Sequence, residues 1–378
     1  MNEFFDVTLG EVVDFFNGKA IKPGQDGEYP AYGSNGLIGG APDWKYENSI
    51  IIGRVGAYCG SVAYCKSRFW ASDNTIVARP KSGDVGYFYY LLKALELNRY
   101  AGGAAQPLVT QTVLKGVPAR VPDIPTQRRI ASILSAYDDL IENNTRRIAI
   151  LEEMARRIYE EWFVRFRFPG HEQVKMVESE LGLIPEGWKA TNIGEVAENH
   201  DRKRKPLSKM QREKFKGPYP YYGAAKIFDY VEDYIFDGRF VLMAEDGSVI
   251  TPDGFPVLQL ANGRFWANNH THILRGTPDA STEFIYLRLS SQKVSGYITG
   301  AAQPKITQAN MNRIPVCLPP RDLMARFTEL VGPKFDLIDC LERKHTNLRA
   351  TRDLLLPKLI SGELDVSTLP EPEEAIAA

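Results

Sequence analysis

The chain has 378 residues, enough for two or three ordinary domains of about 100–200 residues each, which excludes a disulfide-stapled miniprotein. Hydrophobic residues at 44%, aromatics at 11% and charges at 25% describe a folded chain and exclude a disordered one. A formal net charge of −1 excludes attraction to nucleic acid by net charge alone, leaving a local positive field as the route to DNA.

The start, MNEFFDVTLGEVVDFF, has no basic region followed by an apolar stretch. No apolar run approaches the roughly 20 residues needed to span a bilayer, so neither secretion nor membrane insertion is expected. Cys59, Cys65, Cys317 and Cys340 form no CxxC pair, and no dense His/Cys cluster accompanies them. Buried thiols in a reducing cytoplasm are the plain reading, with disulfides as the alternative.

In chain order, LGEV (9–12) and YPAYG (29–33) are followed by SIIIGRVGAYCGSVAYC (49–65), whose short apolar runs broken by Gly read as strands with tight turns. FWASDNT (69–75) precedes DVGYFYYLLKALEL (84–97), which reads as a short amphipathic helix, and then come GAAQPLVTQ (103–111) and VPARVPDIP (117–125). Five of these blocks have a second copy in the same order. IGEV (193–196), YPYYG (219–223), FWANNHT (265–271), GAAQPKITQ (300–308) and IPVCLPPRD (314–322) repeat them, with RFVLMAEDGSVI (239–250) as strands and STEFIYLRLSSQKV (281–294) as the matching helix. An ordered series of this kind marks two copies of one α+β module, at residues 1–124 and 188–320.

A long helix is expected after each module. Over residues 125–165, Leu134, Tyr137, Ile141, Asn144, Ile148, Leu151 and Ile158 follow alternating steps of three and four, with Ala155 and Trp162 completing the stripe. Over residues 321–361, Val331, Ile338, Leu341, Leu348 and Leu355 follow the same spacing on a less apolar stripe that includes Lys334, His345, Arg352 and Leu359. Heptad spacing asks for a helix to cover each seam, and the two helices are most economically paired with each other as an antiparallel intramolecular coiled coil. From Leu134 to Trp162 the rise is about 42 Å at 1.5 Å per residue, enough to hold two modules apart. Asn144 puts a polar group on the seam, where it sets register or faces a watered edge. Pro357 has no backbone donor and is expected to end or kink the second helix near Leu356. Residues 166–187 are left as a connector and residues 362–378 as an acidic tail.

Catalytic motifs are absent. There is no GxxxxGK[ST] loop, SNGLIGG (34–40) lacks the GxGxxG order, and HExxH, GxSxG and paired zinc-binding cysteines do not occur. His270 and His272 lie in NNHTHI where the first copy has Asp73 and Asn74, a place for turn residues or base-edge readers ahead of metal ligands. The stretch DRKRKPLSKMQREKFK (201–216) instead carries eight basic residues against two acids: Arg202, Lys203, Arg204, Lys205, Lys209, Arg212, Lys214 and Lys216 are candidates for phosphate contact. The first module has no equally basic counterpart. Tyr32, Gly33, Asn35, Asn74, Gln106, Tyr222, Gly223, Asn269, His270 and Gln303 sit in the duplicated blocks and read as recognition-module scaffold or DNA-proximal groups. Shared residues are the better scaffold candidates, so residues that differ between copies should carry discrimination. A duplicated coiled-coil interaction scaffold without DNA sequence preference is the competing class.

The two modules and paired helices, together with IPTQRRIASILSAYDDLIENNTRRIAILEEMARRIYEEWF (124–163), GLIPEGWKATNIGEV (182–196) and LLLPKLISGEL (354–364), resemble the specificity subunit of a type I DNA restriction-modification system. The resemblance covers nearly the whole chain. It implies two target-recognition domains, each reading one half of an asymmetric bipartite duplex target, with the helices setting the spacer and docking two methyltransferase subunits. Further implied are a non-catalytic, cytoplasmic, prokaryotic role and adenine methylation with S-adenosylmethionine in the methyltransferase partner. Restriction subunits would add cleavage driven by ATP with Mg2+.

Overall fold

The computed structural model describes residues 4–24, 26–103, 106–300 and 303–367, so the acidic tail beyond Ser367 lies outside the described residues. The chain divides into two compact units, residues 1–144 with 344–378 and residues 145–343. These units cut across the linear boundaries expected for modules and rods. Each long helix is divided between them because its apolar residues join two different cores: Ile130, Ala131 and Leu134 pack into the first unit, Ala155 and Tyr159 into the second.

In the first unit the run Ile50–Ile51–Ile52 is buried throughout, as a central strand covered on both faces requires. Ile50 and Ile52 point into one core and Ile51 into another, the period-two alternation of a strand. Its strand, Tyr46–Gly53, lies inside a six-stranded sheet ordered Val13–Asn17, Thr75–Pro80, Tyr46–Gly53, Val62–Ala71, Tyr29–Gly33 and Gly36–Ala41. One junction is parallel, with Ala31 opposite Trp70 and Tyr32 opposite Ala71. The helix Val85–Ala94 begins at Asp84, whose carboxylate accepts the Tyr87 N–H at 2.8 Å, and buries Phe88, Leu91 and Leu92. Strands Phe4–Thr8 and Pro118–Pro122 pair antiparallel, bringing the two ends of the block series together.

The second unit repeats these relationships in a sheet split into two four-stranded pieces. Val241 and Met243 face one core and Leu242 another. Tyr221 lies opposite Trp266 and Tyr222 opposite Ala267 in a parallel junction, and Lys189–Asn192 pairs with Pro315–Leu318. The helix Thr282–Ser290 starts at Ser281, whose hydroxyl accepts the Phe284 N–H at 3.2 Å. The connector contains a hairpin, Met176–Ser179 with Gly182–Pro185, followed by Trp188, whose ring lies 5.3–5.7 Å from those of Phe163, Phe166 and Phe168.

The first long helix is Ile124–Tyr159 and widens into a π-helical turn at Glu160–Val164. The second, Arg321–Ser361, runs through both Pro333 and Pro357, so of the two outcomes expected at Pro357 the helix does not end near Leu356. Each proline withholds one hydrogen bond from the carbonyl four residues earlier, at Glu329 and Asp353, and both of those residues are exposed, where a missing helical donor costs least. Beyond Pro357, buried Leu359 and Ile360 anchor the last turn in the first unit's core. Among the seam residues, Leu134, Ile141, Asn144, Val331, Ile338 and Leu341 are buried, while Tyr137, Ile148, Leu151, Ile158, Leu348 and Leu355 are half-buried. Within the first unit the Arg352 guanidinium donates to Asp138 at 2.5 Å and Arg129 donates to the Ser367 carbonyl at 3.0 Å, which ties the start of the first long helix to the end of the second and the residues just after it. No helix among the described residues is long and apolar enough to cross a membrane.

Candidate nucleic-acid interface

Three loops meet at one end of the first unit's sheet. The Arg54 N–H donates to the Asn74 carbonyl at 2.9 Å, the Val109 N–H to the Arg54 carbonyl at 3.0 Å, and the Gly56 N–H to the Pro107 carbonyl at 3.0 Å. Ser34, beside the tip of the hairpin Tyr29–Gly33 and Gly36–Ala41, locks the cluster. Its hydroxyl donates to the Asn74 carbonyl at 2.6 Å and accepts the N–H groups of Arg54 and Val55 at 3.2 and 3.3 Å. Every loop is thereby fixed by main-chain hydrogen bonds, which leaves its side chains free to present a surface.

The second unit builds the same frame from different residues. The Glu245 N–H donates to the His270 carbonyl at 2.9 Å, the Ile306 N–H to the Glu245 carbonyl at 2.9 Å, and the Gly247 N–H to the Pro304 carbonyl at 3.2 Å. Strand register therefore places Arg54 and Glu245 at one framework position, and Asn74 and His270 at another. In the sequence the first equivalence is hidden, because the stretches from Gly53 to Phe69 and from Ala244 to Phe265 differ in length.

Most of the duplicated candidates support this frame. The Tyr32 ring meets Phe69 edge-on at 5.6 Å and the Tyr222 ring meets Phe265 at 5.4 Å, and burial pushes both hydroxyls up to about 12, aided by Cys65 beside Tyr32 and by Glu342 near Tyr222. A side-chain carbon at Gly33 would lie 2.9 Å from Ile38, and one at Gly223 only 2.1 Å from the Phe228 ring. Asn35, Asn74, Gln106, Asn269, His270 and Gln303 are exposed. His270 is held by Asp246, 2.8 Å from its Nδ1. Trp70 and Trp266 donate their indole N–H groups to the carbonyls of Lys19 and Lys205 at 2.9 and 2.6 Å, which pins a basic loop to each unit. The topological counterpart of the basic stretch is thus the loop carrying exposed Lys19 and Lys22.

That stretch is not uniformly available to phosphate. Arg204, expected on the contacting surface, is turned inward: its guanidinium donates to Glu245 at 2.6 Å, to the Thr271 carbonyl at 2.8 Å and to the Asp201 carbonyl at 2.9 Å. Arg212 is likewise engaged, donating to the Leu207 carbonyl at 2.6 Å with its guanidinium 5.2 Å from the Tyr221 ring centre. Both are corrections with one cause, since each of these guanidiniums lies against acceptors of its own unit that bind it before a phosphate can. Lys216 pairs with Asp229. Exposed Arg202, Lys203, Lys205, Lys209 and Lys214 remain, the last two on a short helix, Lys209–Lys214, opened by a Ser208–Gln211 capping box.

Beneath the frame lies a polar network absent from the sequence reading. His272 is buried, with Nδ1 2.6 Å from Asp201 and Nε2 2.8 Å from the Ile306 carbonyl. Burial raises the Asp201 carboxyl, but the His272 contact, the Ile273 N–H and Asn199 together hold it below its ordinary value. Glu245 is held low in the same way by Arg204, Lys305 and His272 against its own burial. Asp201, Glu245 and His272 bring three ligand-type atoms within 4.8 Å, but Arg204 and Lys305 already supply positive charge to Glu245, so the group reads as an internal ion network.

A sequence model of the family described as "Type I restriction modification DNA specificity domain" matches residues 1–153 and 185–322. The chain belongs to this family. Among its relatives, the type I restriction enzyme MjaIX specificity subunit of Methanocaldococcus jannaschii is 27% identical over 330 residues, covering 82% of the chain and 76% of that protein. A putative type I restriction enzyme specificity subunit of Haemophilus influenzae is 36% identical over 144 residues, covering 38% of the chain and 36% of that protein. The fold is similar to that of the type I restriction-modification S subunit from M. genitalium, with a TM-score of 0.69 at 16% identity and 97% of each chain covered. As a member of the type I specificity family, the chain has a non-catalytic DNA-specificity role in a restriction-modification complex.

Proposed function

We propose that each unit is a target-recognition domain reading one half of an asymmetric, bipartite double-stranded DNA sequence. In this reading the two long helices pair along their seams as an antiparallel intramolecular coiled coil, set the unspecified spacer and dock two methyltransferase subunits. The observation that carries it is the loop frame built twice with the same main-chain hydrogen bonds and different side chains, as two related readers of unlike half-sites require. Adenine methylation then uses S-adenosylmethionine bound by the methyltransferase, and restriction subunits add cleavage driven by ATP with Mg2+. The complex acts in the prokaryotic cytoplasm, and this chain is DNA-associated when assembled.

The test is selection of duplex DNA by the chain reconstituted with its methyltransferase and S-adenosylmethionine. Two enriched half-sites at fixed spacing are expected. Removing one heptad from each long helix shortens the rod by about 10 Å and should shorten the spacer by about three base pairs with the half-sites unchanged. An unchanged spacer overturns the ruler, and no enrichment by a methylation-competent complex overturns recognition in favour of an interaction scaffold.

Phosphate contact has its own signature. Replacing Arg202, Lys203, Lys205 and Lys214 by alanine should weaken binding uniformly across sequences and flatten the salt dependence by about 0.9 per lost contact in a log–log plot. Titration at several salt concentrations measures this, and an unchanged slope removes the stretch from the interface.

A further inference from the structure

Within the loop frame the two units differ in sign of charge at Arg54 against Glu245. In the second unit the carboxylate is consumed, since Arg204 and Lys305 both bind it at 2.6 and 3.0 Å. In the first unit no hydrogen bond or ion pair engages the Arg54 guanidinium among the described residues, although its own N–H and carbonyl are both fixed. A rigidly held main chain bearing an uncommitted planar donor costs little ordering when a ligand arrives. The approach is also open. Gly36 and Gly56 flank the cluster with φ of +99° and +74°, and nothing lies within 4 Å of where a side-chain carbon would stand at either. The loops joined by this frame expose Asn35, Asn74 and Gln106 together with Asp73, and no ion pair links Asp73 to Arg54 among the described residues.

We infer that Arg54 is a specificity-determining residue of the first unit, donating its paired N–H groups to the major-groove edge of one guanine in that unit's half-site. The inference rests on the recognition reading above. Guanine offers two adjacent acceptors, O6 and N7, which the arginine fork matches and which no other base presents together. At the equivalent place the second unit offers an occupied carboxylate, so the two half-sites are read by different groups despite the shared frame. This gives an asymmetric target a cause in named residues.

The experiment compares the wild-type complex with complexes carrying Arg54→Ala and Arg54→Lys, each containing the full chain and the methyltransferase, on a randomised duplex library. Arg54→Ala should relax preference by about tenfold at one G·C pair of one half-site, leaving the other half-site and the spacer unchanged. Arg54→Lys should relax the same position, because the ammonium retains the charge and loses the fork. Unchanged thermal midpoints are expected for both, since the guanidinium has no internal partner. Uniform weakening by Arg54→Ala with Lys restoring affinity makes Arg54 a phosphate contact and overturns the assignment, as does an unchanged motif. If the wild-type complex enriches no motif, the recognition reading itself has failed.

Discussion

Replacing Asp201 with alanine should destabilise the second unit by about 3–5 kcal/mol, the cost typical of removing one partner from a buried charge pair. The Asp201 carboxylate accepts the Ile273 N–H at 2.8 Å and lies 2.6 Å from His272 Nδ1, and the His272 ring is almost wholly buried. Without it, a main-chain donor and a ring nitrogen are stranded where water does not reach. Because the folded carboxyl lies below its ordinary value, the sign of the pH dependence is set: its contribution is complete above the unfolded carboxylate range and is lost as pH falls through the lowered folded value. Wild-type protein should therefore lose stability below about pH 4 more steeply than the alanine variant, which has already lost this component. Thermal unfolding followed by tryptophan emission measures both, with a drop of about 10 °C expected at pH 7. A drop of only one or two degrees would mean that the network is solvated and does not hold the frame. Since the Arg204 guanidinium lies 3.5 Å from the Asp201 carboxylate and also binds Glu245, loss of that carboxylate should also loosen the basic loop that Trp266 pins.

The α+β class and the family were legible because both rest on local pattern. Ile50–Ile52 reads as a strand from three neighbouring residues, and the repeated FWASDNT and FWANNHT blocks carry their fold equivalence on their face. What sequence could not show was set by distant partners. The charge count of residues 201–216 treats all eight cations alike, whereas the fate of Arg204 depends on Glu245 and Thr271, 41 and 67 positions away. Pro357 misled for a related reason. The local rule against proline in a helix was overridden by the burial of Leu359 and Ile360, which no local pattern weighs. Arg54 escaped notice because its importance lies in equivalence with Glu245, which appears only once strand register is known.

The largest packing effect is expected at Phe327. This wholly buried residue of the second long helix meets Phe163 edge-on at 4.7 Å, Trp162 at 6.0 Å and Phe284 at 6.3 Å. Those partners belong to the π-helical turn after the first long helix and to the helix Thr282–Ser290, so one ring joins three elements. Phe327→Ala should cost about 3–5 kcal/mol through lost burial and the cavity left behind. Phe327→Leu, which keeps much of the volume, should cost less than the alanine change but still lose edge-to-face contacts worth about 0.5–1.5 kcal/mol each. Leu330→Ala, one turn on and exposed, should stay within about 0.5 kcal/mol and controls for helix propensity. Denaturant midpoints of the three variants decide the matter. If Phe327→Ala costs no more than Leu330→Ala, the helix is anchored elsewhere. If the ordering holds, the second long helix and the recognition unit share one core, and a helix that moved independently of that unit would have to break this aromatic cluster first.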